Sequence, residues 1–342
     1  MGGWGTDTSG SLRSGGAVCF VAKSVSAASD AFLASIRSRA IARPMPLTSP
    51  LTSTLLRDCH ARARGWAGMF RLPLRQRVWR GGSGDFMGRG TGASLDFQDH
   101  RAYAPGDDPR HINWQAYART GQYSMKLFRE EVRPLIDIVL DVSPSMFFTP
   151  EKAVRAVELF YFAVEGAMRA GTTPLVTALS GTWRRTLPAD SVLGHRWAEE
   201  LPEGPQAAAA PPDLARVPLR AQSLRIFVSD LLFAGAPEQF TSALSARQGR
   251  PVVLAPFCQA ESDPDWDGNM EFIEAEEQSH HPRRVEPALL RRYRDAYSRH
   301  FELWKTAAQR HGLVLARVPC EPEFPAALQL EALRHGAVEP WA

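Results

Sequence analysis

Leu135-Ile136-Asp137-Ile138-Val139-Leu140-Asp141-Val142-Ser143-Pro144-Ser145-Met146 is an apolar run that ends in an Asp-x-Ser-x-Ser cluster. A short run this rich in Ile, Val and Leu reads as a buried strand, which puts the cluster in the loop at its carboxyl end. Asp141, Ser143 and Ser145 then bring one carboxylate and two hydroxyls toward a single place. Oxygen donors of that kind suit Mg²⁺, which takes octahedral coordination and keeps several waters. Two of the three donors are neutral, so a dication held there would attract a further carboxylate from outside the chain. That describes docking better than hydrolysis. A plainer reading stays open: Ser143 and Ser145 cap a following helix, and Asp141 bonds to loop amides.

Thr149-Pro150-Glu151 carries the marks of a helix start, with a hydroxyl at the N-cap, proline at the first position and an acid in the first turn. Val154, Val157, Phe160, Tyr161, Val164 and Met168 follow at helical spacing until Gly171, which predicts an amphipathic helix lying on the sheet. Residues 224–228 predict a second buried strand, and it ends in Ser229-Asp230. Sites in open parallel α/β sheets form beyond the carboxyl ends of the strands, so Asp230 is the natural partner of Asp141. Ser229-Asp230 also reads as the start of another helix. Further strands are expected over 174–179, turning at Ser180-Gly181 into 182–187, and over 252–257 and 313–318. Helices are expected over 238–247 and 287–310, the second with an apolar stripe of Leu289, Leu290, Tyr293, Tyr297, Phe301, Trp304 and Ala308 and arginines on its other faces. Alternation of this kind indicates an α/β domain with a largely parallel sheet.

Upstream runs Arg101-Ala102-Tyr103-Ala104-Pro105-Gly106-Asp107-Asp108-Pro109-Arg110-His111-Ile112-Asn113-Trp114, followed by Ala118-Arg119 and by Lys126-Leu127-Phe128-Arg129-Glu130-Glu131. This resembles the signature of the domain-of-unknown-function 58 family, and the likeness extends over about residues 55–324. The resemblance implies a Rossmann-like, von Willebrand factor A-like domain with a metal-ion-dependent adhesion site at Asp141, Ser143 and Ser145, Asp230 standing as the last acidic ligand. It implies no catalytic residue. It also implies a partner, a MoxR-type AAA+ ATPase, acting with proteins of this kind in chaperone-like assembly or maturation of a client protein. Two departures are visible. The family's Ile-Asp-Trp is Ile112-Asn113-Trp114, an amide in place of a carboxylate. The threonine that such an adhesion site takes from a loop before the last acidic strand has no counterpart in 204–213, which reads Gly-Pro-Gln-Ala-Ala-Ala-Ala-Pro-Pro-Asp.

Asp107-Asp108-Pro109-Arg110 reads first as a turn in which a guanidinium pairs with its own carboxylates. A competing class of function also starts here. Asp107 and Asp108 with Lys126, Glu130 and Glu131 are residue types that metal-dependent phosphoesterases and nucleases use. Arginines from Arg71 to Arg129 interleave with Trp79, Tyr103, Trp114, Tyr117 and Tyr123, yet the net charge is only +3, so nucleic acid is not the expected partner. The Gly-rich stretch 81–92 lacks the Gly-Lys-Ser/Thr ending of a phosphate loop. Glu261, Asp263, Asp265 and Asp267 imitate a calcium loop, but Pro264 interrupts it. His280 and His281 are expected in a polar surface loop.

A chain of 342 residues with 44% hydrophobic and 23% charged residues holds one full α/β domain and a smaller one. Four scattered cysteines with no Cys-x-x-Cys indicate reduced thiols. No apolar run approaches the roughly 20 residues of a membrane span, and a cytoplasmic location is expected. The expected organisation is a disordered tail or over-extended start at 1–50, with Met45 as the alternative beginning. A small basic β-rich subdomain carrying the signature at 51–133, a von Willebrand factor A-like domain at 134–325 with a Pro/Ala linker at 202–212, and a C-terminal tail at 326–342 complete it.

Overall fold

A computed structural model describes residues 51–74, 83–91, 97–105, 109–132, 134–201, 211–273 and 280–341. The expected tail at 1–50 and most of the linker at 202–212 lie outside the described residues. The chain runs through α1 (Ser53–Trp66), β1 (Phe70–Arg71), β2 (Ser83–Thr91), β3 (Phe97–Ala102), α2 (Trp114–Thr120) and β4 (Ser124–Val132). It continues through β5 (Ile136–Asp141), α3 (Pro150–Arg169), β6 (Leu175–Ser180), β7 (Trp183–Leu187), α4 (Ala189–Leu193), β8 (Leu224–Val228) and α5 (Pro237–Ser245). The last elements are β9 (Arg250–Phe257), α6 (Gln259–Ser262), β10 (Gly268–Ile273), β11 (His280–Val285), α7 (Pro287–His311), β12 (Val314–Pro319), α8 (Phe324–Leu330) and β13 (Glu339–Pro340).

Six strands form the central sheet in the order β12-β9-β8-β5-β6-β7. All pairs are parallel except β6 with β7, which turn back on each other at Gly181, a residue with φ of 54°. Strand periodicity divides the core in two. Ile136, Ile138 and Leu140 of β5, Leu224, Ile226 and Val228 of β8, and Val252 and Leu254 of β9 face one apolar cluster, together with α3. Val139, Phe227, Val253 and Ala255 face the other, with Phe240 of α5 and Tyr293, Tyr297, Phe301 and Trp304 of α7. Both faces of the sheet are covered, which is why its strands are nearly continuous in apolar residues. A separate three-stranded antiparallel sheet, β2-β4-β3, carries the signature region with α2.

Four expectations change. Helix α3 begins where the sequence indicates, with the Thr149 hydroxyl accepting from the Lys152 N–H at 3.3 Å. It is not amphipathic in use, because almost its whole length is buried, Lys152, Arg155, Glu158 and Glu165 included. Helix α1 lies over its outer side and supplies the partners: Arg62 donates to Glu158 at 3.0 Å, and His60 and Arg64 reach Glu165 at 2.7 and 3.2 Å. Residues 51–66 therefore belong with the α/β core rather than with the signature sheet. The segment 326–342 is no tail either. Ala327, Leu328, Ala332, Ala337 and Val338 are buried in the first cluster. β13 pairs with β1, and the Trp341 indole donates to the Ala67 carbonyl at 2.9 Å. Alanines and single leucines over so short a span leave no periodic trace of burial. Finally, His280 and His281 sit in β11, where His281 pairs with Phe272 of β10, not in a loop.

A chain ended after residue 325 exposes the surface that those five apolar residues cover, and its stability should fall by about 5 kcal/mol or more. Urea denaturation followed by circular dichroism measures this; an unchanged midpoint would contradict the assignment of 326–342 to the core.

Candidate functional site

The register that pairs Leu140 with Val228 brings Asp141 and Ser229 side by side at the carboxyl edge of the sheet. The Ser229 hydroxyl donates to Asp141 Oδ2 at 2.7 Å, and the Ser143 N–H donates to Oδ1 at 2.9 Å. Ser143 and Ser145 join their hydroxyls at 3.1 Å. Asp141, Ser145 and Asp230 are all buried, so the structure gathers the predicted cluster in one place. Burial, and after it the neighbouring Asp230 charge, pushes the Asp141 carboxyl up to about 6.

The centre of the cluster is a residue that was not predicted. Lys152, in the first turn of α3, extends its ammonium to Asp230 Oδ2 at 2.8 Å and to Glu261 Oε1 at 2.6 Å. The remaining oxygens are taken by backbone donors: the Leu232 N–H bonds to Asp230 Oδ1 at 3.0 Å and the Cys258 N–H to Glu261 Oε2 at 2.9 Å. Burial works against the ammonium, but the Asp230 and Glu261 carboxylates outweigh it and hold the lysine well above its ordinary pKa. One cation thus ties the first turn of α3 to the loops after β8 and β9. From the other side of the sheet, the buried His300 of α7 donates through Nε2 to the Leu231 carbonyl at 2.8 Å. Leu231 has φ of 60°, a left-handed conformation that costs a leucine about 1 kcal/mol or more, and the buried bond helps hold it there.

These donors do not fit Mg²⁺ as they stand. Magnesium needs oxygen ligands at about 2.0 to 2.1 Å in an octahedron, whereas Asp230 is engaged by an ammonium and a backbone amide, and Asp141 by a hydroxyl and an amide. Among the described residues no group of three or more His, Cys, Asp and Glu side chains is arranged to hold a metal.

The signature residues lie on the other sheet and its helix. Asn113 is the N-cap of α2, its side-chain oxygen accepting from the Ala116 N–H at 3.1 Å. A carboxylate or an amide serves that purpose equally, which accounts physically for the departure at this position. Trp114 is 56% exposed beside Tyr117 and Tyr123, which stack at 4.3 Å. Arg101 lies in β3, Tyr103 and Pro105 follow it, Arg110 precedes α2, and Arg119 donates to the Gln115 carbonyl at 3.3 Å. Lys126 stands opposite His100 in the β3–β4 ladder. Gly106, Asp107 and Asp108 lie outside the described residues.

Lys152, Glu261 and His300 were missed by sequence reasoning. Lys152 offered one usable signal, a lysine in the first helical turn directly after Asp-x-Ser-x-Ser. Glu261 stands in sequence within an imitation calcium loop with Asp263, Asp265 and Asp267, which hides its role.

A family model described as "Protein of unknown function DUF58" matches residues 99–302, more than half of the chain. Among solved structures, the conserved hypothetical protein BatB from Bacteroides thetaiotaomicron is similar at 13% identity and a TM-score of 0.31, over 58% of this chain and 96% of that one. No curated protein matches.

A folded-state pKa raised above the ordinary carboxyl value of 3.8 means that the protonated form is favoured on folding. The stability this brings is complete below pH 3.8 and is lost as pH rises through about 6. Asp141→Asn removes that titration, so between pH 4 and 7 the variant should gain on the wild type by about 3 kcal/mol. Paired urea titrations across this range test it; parallel profiles would contradict a buried, titrating Asp141.

Proposed function

The chain belongs to the DUF58 family, and from that premise we propose that it is a non-enzymatic protein-interaction module built on a von Willebrand factor A-like domain. In this reading it acts in the cytoplasm with a MoxR-type AAA+ ATPase, in chaperone-like assembly or maturation of a client protein. The observation that carries the reading is the burial of the ionic cluster. Asp141, Lys152, Asp230 and Glu261 are 0%, 1%, 2% and 5% exposed. A general acid, base or nucleophile must come within hydrogen-bond reach of the group it attacks. Side chains sealed in this way, with their oxygens already bonded, act on backbone rather than on a substrate.

What they hold is the shape of the loops after β5, β8 and β9. Those loops leave Pro150, Gly235, Ala236 and Gln259 exposed at the carboxyl edge of the sheet. A surface whose backbone is fixed in advance loses less entropy when a partner docks, so more of the contact energy appears as affinity. The Trp114, Tyr117 and Tyr123 group adds exposed aromatic area of the kind that anchors protein interfaces. Among the described residues no helix is long and apolar enough to cross a membrane, which is compatible with the cytoplasmic reading.

The experiment is capture of a purified MoxR-type ATPase by the full chain, with a phosphodiesterase assay in parallel. Asp141→Ala unfastens Ser143 and Ser229 and should weaken capture by about tenfold or more while the circular dichroism spectrum stays folded. Asp107→Ala and Asp108→Ala should leave capture unchanged, and no preparation should hydrolyse phosphodiesters. Turnover that disappears with Asp107 or Asp108 would instead establish an enzyme.

A further inference from the structure

We propose that Lys152 is a built-in cation standing in for the divalent metal of an adhesion-type site, so that the loops over β5, β8 and β9 keep their shape in the absence of any metal. Three observations carry this. The ammonium is buried and lies within hydrogen-bond distance of two buried carboxylates, Asp230 at 2.8 Å and Glu261 at 2.6 Å. Each of those carboxylates spends its other oxygen on a backbone N–H, that of Leu232 or of Cys258. The ammonium therefore closes a bridge between two loops, as a shared metal ion does. Asp141 is not left waiting for a cation, because Ser229 and the Ser143 amide occupy its two oxygens.

Lys152 is also placed to exclude the ion it replaces. Its side chain rises from the first turn of α3, immediately after the Ser143–Ser145 loop. A dication bound by Asp141 and Asp230 would lie next to a fixed positive charge in a site from which water is excluded, where like charges repel strongly. The missing threonine fits the same logic: with the cation supplied by the chain, a further neutral oxygen donor has nothing to coordinate. The docking consequence rests on the loops serving as a partner surface, as proposed above; the metal consequence does not.

The test uses the full chain as wild type, Lys152→Met and Lys152→Met/Glu261→Gln, the last pairing the loss of the cation with the loss of one buried negative charge. Wild type should show no saturable Mn²⁺ or Mg²⁺ binding in titration calorimetry, and the same unfolding temperature in EDTA as in excess Mg²⁺. Lys152→Met leaves Asp230 and Glu261 without a cation, next to the Asp141 carboxyl. It should bind Mn²⁺ about tenfold or more tighter than wild type, with an unfolding temperature that rises as Mn²⁺ is added. If Lys152→Met does not fold, the double variant carries the same measurement. One equivalent of Mn²⁺ on the wild type, lost in Asp230→Asn, would overturn the proposal, as would folded lysine variants that gain no Mn²⁺ affinity. Capture of the ATPase in EDTA separates the two claims. A wild type that ignores metal and also fails to capture the ATPase removes the docking reading and leaves the lysine in place.

Discussion

Beyond the carboxyl ends of β5, β8 and β9 this chain buries three carboxylates, two of them paired with one ammonium, and the local structure follows from satisfying them. A carboxylate taken out of water costs several kcal/mol unless it is paired and hydrogen-bonded. Asp230 and Glu261 meet that demand with Lys152 and one backbone amide each, and Asp141 meets it with Ser229 and an amide. Each bond also fixes a stretch of loop backbone. The pairing is therefore better understood as a specification of loop shape than as a source of net stability, since a buried ion pair roughly cancels its own desolvation.

The rest of the fold can be seen as what keeps that place dry. Parallel registry carries Asp141 and Ser229 to the same edge. Helix α3 delivers Lys152 from a capped first turn, and α1 covers the outer side of α3 so that its charged residues are buried with partners. On the opposite face α7 reaches the Leu231 carbonyl through His300. Two elements far apart in sequence close the chain on itself, where β13 pairs with β1 and Arg71 meets Glu339 at 3.0 Å.

The parallel sheet was legible in the sequence because its strands are apolar on both faces and end in recognisable oxygen donors; Asp141, Ser143, Ser145 and Asp230 were found in that way, and the structure gathers them. The lysine was not legible. A cation in the first turn of a helix ordinarily points to solvent, and it is the loops after β8 and β9, bringing Asp230 and Glu261 to it, that make Lys152 an interior residue. Glu261 was hidden among Asp263, Asp265 and Asp267, which are exposed. Helix α1 escaped notice because its arginines mask a narrow stripe of Leu56, Cys59, His60 and Ala63. Asn113 was legible as a change of charge but not as a helix cap, since a cap is recognised only once the helix start is known.

The most direct measurement is a crystal structure of the wild-type chain grown in millimolar Mn²⁺, with anomalous scattering recorded for the metal. The account predicts no anomalous peak among Asp141, Ser143, Ser145 and Asp230, and density for the Lys152 ammonium between Asp230 and Glu261. An Mn²⁺ ion coordinated by Asp141 and Asp230, with Lys152 turned away, would contradict it.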